Sequence, residues 1–214
     1  MAKQSRPDFS FYLGHFTKEE QPDAHEQKDN PALKVTEGKS AFEKLKSMLA
    51  DKKIIAGTLP WNKKNAVCLT ECPWSSLVAH SKVYSPYAIG FSKAFIFGTG
   101  GAPAFYVRAD QFDRQQWDGL LYTFTTPFWP SYRPKKKNLT TKFKTIDYSH
   151  EREWRVPHDL SFDYEDIEFV ILNRYKDLAE LDKDIKDAIG REKFFFMEMY
   201  EKIETLWPVH NIGQ

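Results

Sequence analysis

The sequence predicts an α+β fold. Strand-like runs rich in aromatic and β-branched residues mix with helix-patterned stretches, without the regular alternation that a parallel α/β sheet requires. The chain has 214 residues, enough for one full core, and shows no internal repeat or low-complexity segment. A single domain is expected over 1–214, with a core over about 9–172 and closing helices over about 175–207.

In chain order, Phe9–Thr17 is aromatic-rich and reads as a strand closed by His15. Residues 18–39 are polar, carry Pro22, Pro31 and Gly38, and read as a loop. Ser40, with Glu43 three positions later, makes a capping box for a helix. In that helix Phe42, Leu45, Met48 and Leu49 recur on one face as far as about Lys53. Ala66–Thr70 is a short buried strand, and Pro73 suits the first turn of a helix running through Leu77 and Val78. Tyr87, Ile89 and Phe91 alternate on the next strand. Gly98, Gly100 and Gly101 then form a turn before a strand over Ala104–Arg108. A helix is expected over Gln111–Thr123 and a basic, aromatic-interleaved loop over Trp129–Lys144. Further along come strands over Glu151–Arg155 and Ile167–Leu172, and helices over about Leu178–Ile189 and Glu192–Leu206.

Composition narrows the function classes. Aromatic residues make up 15% of the chain, well above what a disordered chain carries. The 31 basic and 30 acidic residues nearly cancel, so any pull toward nucleic acid must come from a local patch. The two cysteines, Cys68 and Cys72, fit reduced thiols better than a disulfide framework. Together with His80 they lack a fourth ligand and match no common zinc spacing, so no metal is expected. The first residues lack the apolar segment of a signal peptide, and no run approaches a membrane span. A soluble, cytoplasmic protein is expected.

The stretch Tyr148-Ser-His150-Glu151-Arg-Glu153-Trp154-Arg155 is polar yet reads as a strand. Alternation would put Glu151, Glu153 and Arg155 on one face, with His150, Arg152 and Trp154 on the other. Two carboxylates so close repel, and one should keep its proton to a higher pH. That suits a site needing an acid and an anion together; an edge strand with solvated charges is the plain alternative.

The layout Gly-His15-Phe16-Thr17, then Val-Cys68-Leu-Thr-Glu-Cys72-Pro, then Tyr87-Ala-Ile-Gly-Phe-Ser-Lys, then Glu151-Arg-Glu153-Trp-Arg155 resembles the ADP-ribosyltransferase superfamily of the His-Tyr-Glu type. It is also similar to bacterial abortive-infection phage-resistance proteins. The resemblance spans about residues 9–172 and is strongest at Glu-x-Glu-Trp-Arg. It implies a split β-sheet with flanking helices that grips NAD as substrate, with His15 and Glu153 lining one cleft. It further implies that His15 bonds the adenosine-side ribose, and that the backbone at Phe16 and Thr17 meets the nicotinamide amide. Tyr87 or Tyr84 would stack on the nicotinamide ring, and Glu153 would bond the 2′-hydroxyl of the nicotinamide ribose. Glu151 would position or deprotonate the acceptor. Arg155 either holds Glu153, meets the pyrophosphate or forms a structural ion pair.

These roles are chemically coherent. Breaking the ribose–nicotinamide bond develops positive charge that a fixed carboxylate stabilises, and an aromatic face holds the pyridinium. Three functions follow as expectations. The first is an NAD-dependent ADP-ribosyltransferase acting as toxin or antiphage effector on a macromolecular acceptor, with nucleic acid held by Arg133, Lys135, Lys136 and Lys137. The second is a non-catalytic antitoxin that binds a toxin partner. The third is a nucleic-acid-binding module built on the basic loop, whose plain alternative is a solvated loop.

Overall fold

The computed structural model describes residues 10–19, 30–71, 77–117, 119–130 and 147–206. The first half of the chain gives β1 (Tyr12–Phe16), α1 (Pro31–Thr36), α2 (Ala41–Asp51), β2 (Lys53–Ile54), β3 (Gly57–Thr58), β4 (Asn65–Thr70), α3 (Leu77–Val83), β5 (Ala88–Ser92) and α4 (Lys93–Gly98). The second half gives β6 (Ala102–Pro103), β7 (Phe105–Arg108), α5 (Ala109–Phe112), α6 (Leu121–Phe124), β8 (Thr125–Phe128), β9 (Glu153–Val156), β10 (Leu160–Ser161), β11 (Ile167–Leu172), α7 (Lys183–Ile189), β12 (Phe194–Phe196) and α8 (Met197–Leu206). The mixed α+β class expected from the sequence is present.

One eight-stranded sheet organises the chain in the order β12-β11-β5-β1-β4-β9-β6, with β3 also paired to β4. β11 and β12 run parallel, and the other neighbours antiparallel. β1 matches β5 from Tyr12↔Ser92 to Phe16↔Ala88, but it meets β4 in register at Gly14↔Thr70 alone. The sheet therefore has two well-knit halves joined at a narrow seam between β1 and β4. Two small sheets complete the fold, β2 with β10 and β7 with β8.

The main core lies on one face of the large sheet. Leu13, Val67, Leu69, Ile89, Phe91 and Val156 cluster there with Leu45 and Leu49 of α2. Their alternation with Gly14, Cys68, Thr70 and Gly90 is the period-2 pattern of a sheet buried on that face. α2 starts where its capping box predicts. Glu43 N–H donates to Ser40 Oγ at 3.2 Å, and Ser40 N–H donates to Glu43 Oε2 at 2.8 Å. Lys52, at φ +48°, closes the helix in the left-handed conformation, its N–H donating to the Met48 carbonyl.

Several expected boundaries are corrected. α1 occupies part of the 18–39 loop, started by Asn30, whose side chain accepts from Ala32 N–H. α4 intervenes between β5 and the glycine turn, capped by Ser92 Oγ, which accepts from Phe95 N–H. The expected 111–123 helix is two short helices, α5 and α6, with Gly119 at φ +55° between them. The expected 178–189 helix divides into a 3-10 segment over Tyr175–Glu180 and α7. The expected 192–206 helix begins instead with a 3-10 turn and strand β12, before α8. The helix start expected at Pro73 lies outside the described residues. Among the described residues, no helix is long and apolar enough to cross a membrane.

Candidate functional site

The polar stretch expected to be one strand is a turn followed by a strand. Ser149–Glu151 form a 3-10 turn, Arg152 sits at φ +46°, and β9 begins only at Glu153. The cause is local. Ser149 Oγ donates to Asp147 Oδ1 at 2.7 Å, a short-range bond that competes with extended structure. The β4 ladder also ends at Thr70↔Glu153, so Glu151 has no facing strand residue. The Thr70 hydroxyl instead donates to the Glu151 carbonyl. Glu151 therefore does not share a strand face with Glu153, which corrects that expectation. Glu153 and Arg155 do share one.

Arg155 is fully buried, and all five of its N–H donors have protein acceptors. Nε donates to Glu153 Oε1 at 2.9 Å and one Nη to Glu153 Oε2 at 2.8 Å, a bidentate pair. The other Nη donates to the carbonyls of Thr123 and Thr125 at 2.8 and 3.0 Å, and the remaining N–H goes to the Thr126 hydroxyl. Burial disfavours the guanidinium's charge, but Glu153's hydrogen bonds and charge outweigh it, and the pKa lies above its ordinary value. Arg155 thus rivets β9 to the segment of α6 and β8. Of its expected roles, this geometry fits holding Glu153 and leaves no donor for a pyrophosphate.

A second pair lies beside it. Tyr84 Oη donates to Glu151 Oε1 at 2.8 Å. Burial raises the pKa of Glu151 above its ordinary value; the Tyr84 hydrogen bond works against this and the nearby Glu153 charge adds to it. The Tyr84 hydroxyl is itself pushed well up, by burial first and then by Glu151. The Tyr84 ring stacks on His80 at 4.6 Å between centroids, and His80 meets the edge of Phe16, also at 4.6 Å. Burial, with His150 nearby, lowers the His80 pKa to about 4. Chemically this is a half-buried carboxyl held by a neutral phenol, which keeps its proton to a higher pH than a free glutamate.

The remaining expected residues are distributed as follows. His15 Nδ1 donates to the Cys68 carbonyl at 2.8 Å, which places the neutral ring's proton on Nδ1, and burial lowers its pKa. Gly14 pairs with Thr70 and Thr70 with Glu153, so these three share one face and His15 alternates to the other. The residue between His15 and Glu153 is Cys68, whose thiol pKa burial and the adjacent Glu153 raise well above the ordinary value. Phe16 lies in the β1–β5 ladder, and Thr17 N–H donates to the Tyr87 carbonyl at 3.0 Å. Tyr87 points away from the glutamates. Its hydroxyl donates to Asp177 Oδ2 at 3.2 Å, its ring stacks on Phe42 at 5.0 Å, and burial with Asp177 pushes its pKa up to about 12. Of the two tyrosines, Tyr84 is the one at the carboxylates. Arg133, Lys135, Lys136 and Lys137 lie outside the described residues.

Sequence reasoning missed Tyr106, Thr123, Thr125 and Thr126. Tyr106 donates to the Tyr148 carbonyl at 2.9 Å, and burial and Glu153 push its pKa up. The pair Thr125-Thr126, just past the expected helix, was the available signal, since β-branched residues favour the strand found there. Among the described residues, no group of three His, Cys, Asp or Glu side chains is placed to hold a metal ion.

No curated protein and no solved structure matches this chain. A family model described as "Putative abortive phage resistance protein AbiGi, antitoxin" matches residues 33–126. That stretch holds β4 and β5, which in the sheet are separated by β1 from outside it, and β4 is flanked by β9, also from outside it. Between residues 33 and 126, then, the chain is similar to an abortive-infection family described as an antitoxin.

Proposed function

We propose that this protein is the antitoxin half of an abortive-infection pair and acts by binding a toxin partner rather than by turning over NAD. The observation that carries this reading is the similarity of residues 33–126 to the antitoxin family. The geometry at Glu153 supports it. Both carboxylate oxygens are held by Arg155, whose side chain is fully buried. A carboxylate already neutralised by a fixed guanidinium is a weak stabiliser of positive charge developing on a sugar. The stacking of Tyr87 on Phe42 and the bond from Thr17 N–H to Tyr87 likewise engage groups that NAD binding would use. The test is co-expression with the product of the adjacent reading frame. Growth arrest by that product alone, relieved by this chain and accompanied by a purified complex, is the expected result. Failure of both relief and complex formation would defeat the reading.

The Tyr84–Glu151 pair favours a second reading: an NAD-dependent ADP-ribosyltransferase acting on a macromolecular acceptor, nucleic acid if Arg133, Lys135, Lys136 and Lys137 hold it. A carboxyl with a raised pKa beside a neutral phenol suits proton transfer to or from an acceptor. Incubation with NAD labelled in its adenosine half, plus bacterial lysate, tests it. Transfer of the label to macromolecules that Glu151→Gln removes would support it, and nuclease or protease sensitivity of the labelled material would name the acceptor. No labelled macromolecule with the parent protein would end it.

A further inference from the structure

One end of the sheet carries an apolar face that neither functional reading uses. α8 places Met199, Ile203 and Leu206 at i, i+4 and i+7, a single helical stripe, and they are 54%, 54% and 67% exposed. Phe195 of the sheet-edge strand β12 is 44% exposed beside it. Within this face Ile171, Phe195, Phe196, Met199, Tyr200 and Ile203 line a groove of about 220 Å³.

We infer that this face is the interface of a homodimer, with α8 packing antiparallel against α8 of a second copy about a two-fold axis. Area is the first argument. At roughly 150–250 Å² for a fully exposed large side chain, Met199, Ile203, Leu206 and Phe195 present on the order of 450 Å² of apolar surface, within the range of the largest patch on a monomer. A stable interface takes about 800 Å² from each partner, a little over half of it apolar, which this face supplies. Shape is the second argument. Small-molecule sites run to about 300–1,000 Å³, so the groove is too small for one and suits an inserted aliphatic side chain. Self-complementarity is the third. In an antiparallel pair centred between Met199 and Ile203, each of these meets the other residue type of the second copy. Leu206 then reaches the aromatic groove, as an isologous contact demands. Glu201 and Lys202 are exposed and carry the polar side of the helix.

The inference depends on neither functional reading. It is tested on the full chain by sedimentation equilibrium from about 1 to 100 μM, the range in which a micromolar dimer dissociates. The parent protein should approach twice the monomer mass. Met199→Glu/Ile203→Glu, which alters side chains already exposed in the monomer, should weaken association by about 30-fold or more, the scale of an interface hot spot. Leu206→Arg, at the helix end, should act in the same direction, and circular dichroism checks that each variant is folded. A parent protein that stays monomeric at the top of the range overturns the inference, whether or not a toxin partner then proves to occupy the face. A dimer unaffected by either folded variant overturns it equally.

Discussion

Arg155 grips Glu153 through two parallel hydrogen bonds, of 2.9 and 2.8 Å, while its other donors fasten β9 to Thr123, Thr125 and Thr126. The pair is therefore a structural joint between the large sheet and the β7–β8 ribbon. Removing one partner leaves the other charge buried without compensation, which costs about 3–5 kcal/mol. Glu153→Gln should lower the urea midpoint markedly, and Arg155→Met should do so at least as much. Because stability and any activity would fall together, loss of activity in Glu153→Gln counts as catalytic only if the variant is folded at the assay temperature. Equal midpoints for parent and Glu153→Gln would show that the pair is not the joint described.

His80 gives an acid-side prediction. It is buried between Tyr84 and Phe16, and burial first, with His150 nearby, lowers its pKa from 6.5 to about 4. A group whose folded pKa is depressed contributes stability that is present above the unfolded value and lost as pH falls toward the folded one. The window is therefore pH 6.5 down to about 4, and the loss is on the order of 3 kcal/mol at most. Glu151 works in the opposite sense. Its folded pKa is raised above 4.5, so its contribution is full below that value and fades as pH rises through the folded one. His80→Phe keeps the aromatic stack and removes the titration. Its midpoint should fall less than the parent's between pH 7 and pH 5. Parallel losses would assign the acid sensitivity elsewhere.

The legible parts of this molecule were those where a local pattern decides the structure. Ser40 and Glu43 announced α2, and the alternation of Ile89 and Phe91 announced β5. The two-residue strands β2, β3, β6 and β10 are too short to carry a period, and only their partners across the fold define them. At the site, the period-2 pattern over Glu151, Glu153 and Arg155 was real for the last two. A left-handed residue between the glutamates, to which alternation is blind, broke it for the first. The Glu153–Arg155 pairing was visible as spacing. The threonine carbonyls that complete the arginine's shell were not, because they come from about 30 residues away.

Gly90 tests the packing of the sheet. It faces Gly14 across the β1–β5 ladder, and the Phe169 ring of β11 lies directly over it. A Cβ at residue 90 would fall well inside contact distance of three ring carbons, so this glycine is required by close approach rather than by its backbone angle. Gly90→Ala should destabilise by about 1–3 kcal/mol, the scale of overpacking in a filled core. Adding Phe169→Leu should recover part of that loss, because a smaller side chain vacates the space. A double variant no more stable than Gly90→Ala would mean the strain is relieved elsewhere.

Arg152 tests whether the kink between the two glutamates is imposed by the surroundings or by its own side chain. At φ +46° a non-glycine residue carries a penalty of about 1–2 kcal/mol, which glycine does not. In the same position the Arg152 guanidinium lies 3.8 Å from Glu71, a long and partly exposed contact contributing about 0–1 kcal/mol. Glu71 keeps its closer partners, Lys93 Nζ at 2.7 Å and Ser10 N–H at 3.0 Å. The relief of strain therefore opposes the lost attraction, and Arg152→Gly should be less destabilising than a substitution that keeps a Cβ at this angle. Arg152→Val introduces a β-branched side chain where φ is positive and should lose more than 1 kcal/mol by the same reasoning. The Thr70 hydroxyl holds the Glu151 carbonyl independently of residue 152, so Tyr84 should still bond Glu151 in Arg152→Gly. Urea midpoints of the two variants decide the energetic claim, and the Tyr84 hydroxyl resonance in labelled protein reports whether the bond survives. If Arg152→Gly is as destabilising as Arg152→Val, the arginine side chain itself sets the kink, and the two carboxylates owe their separation to it.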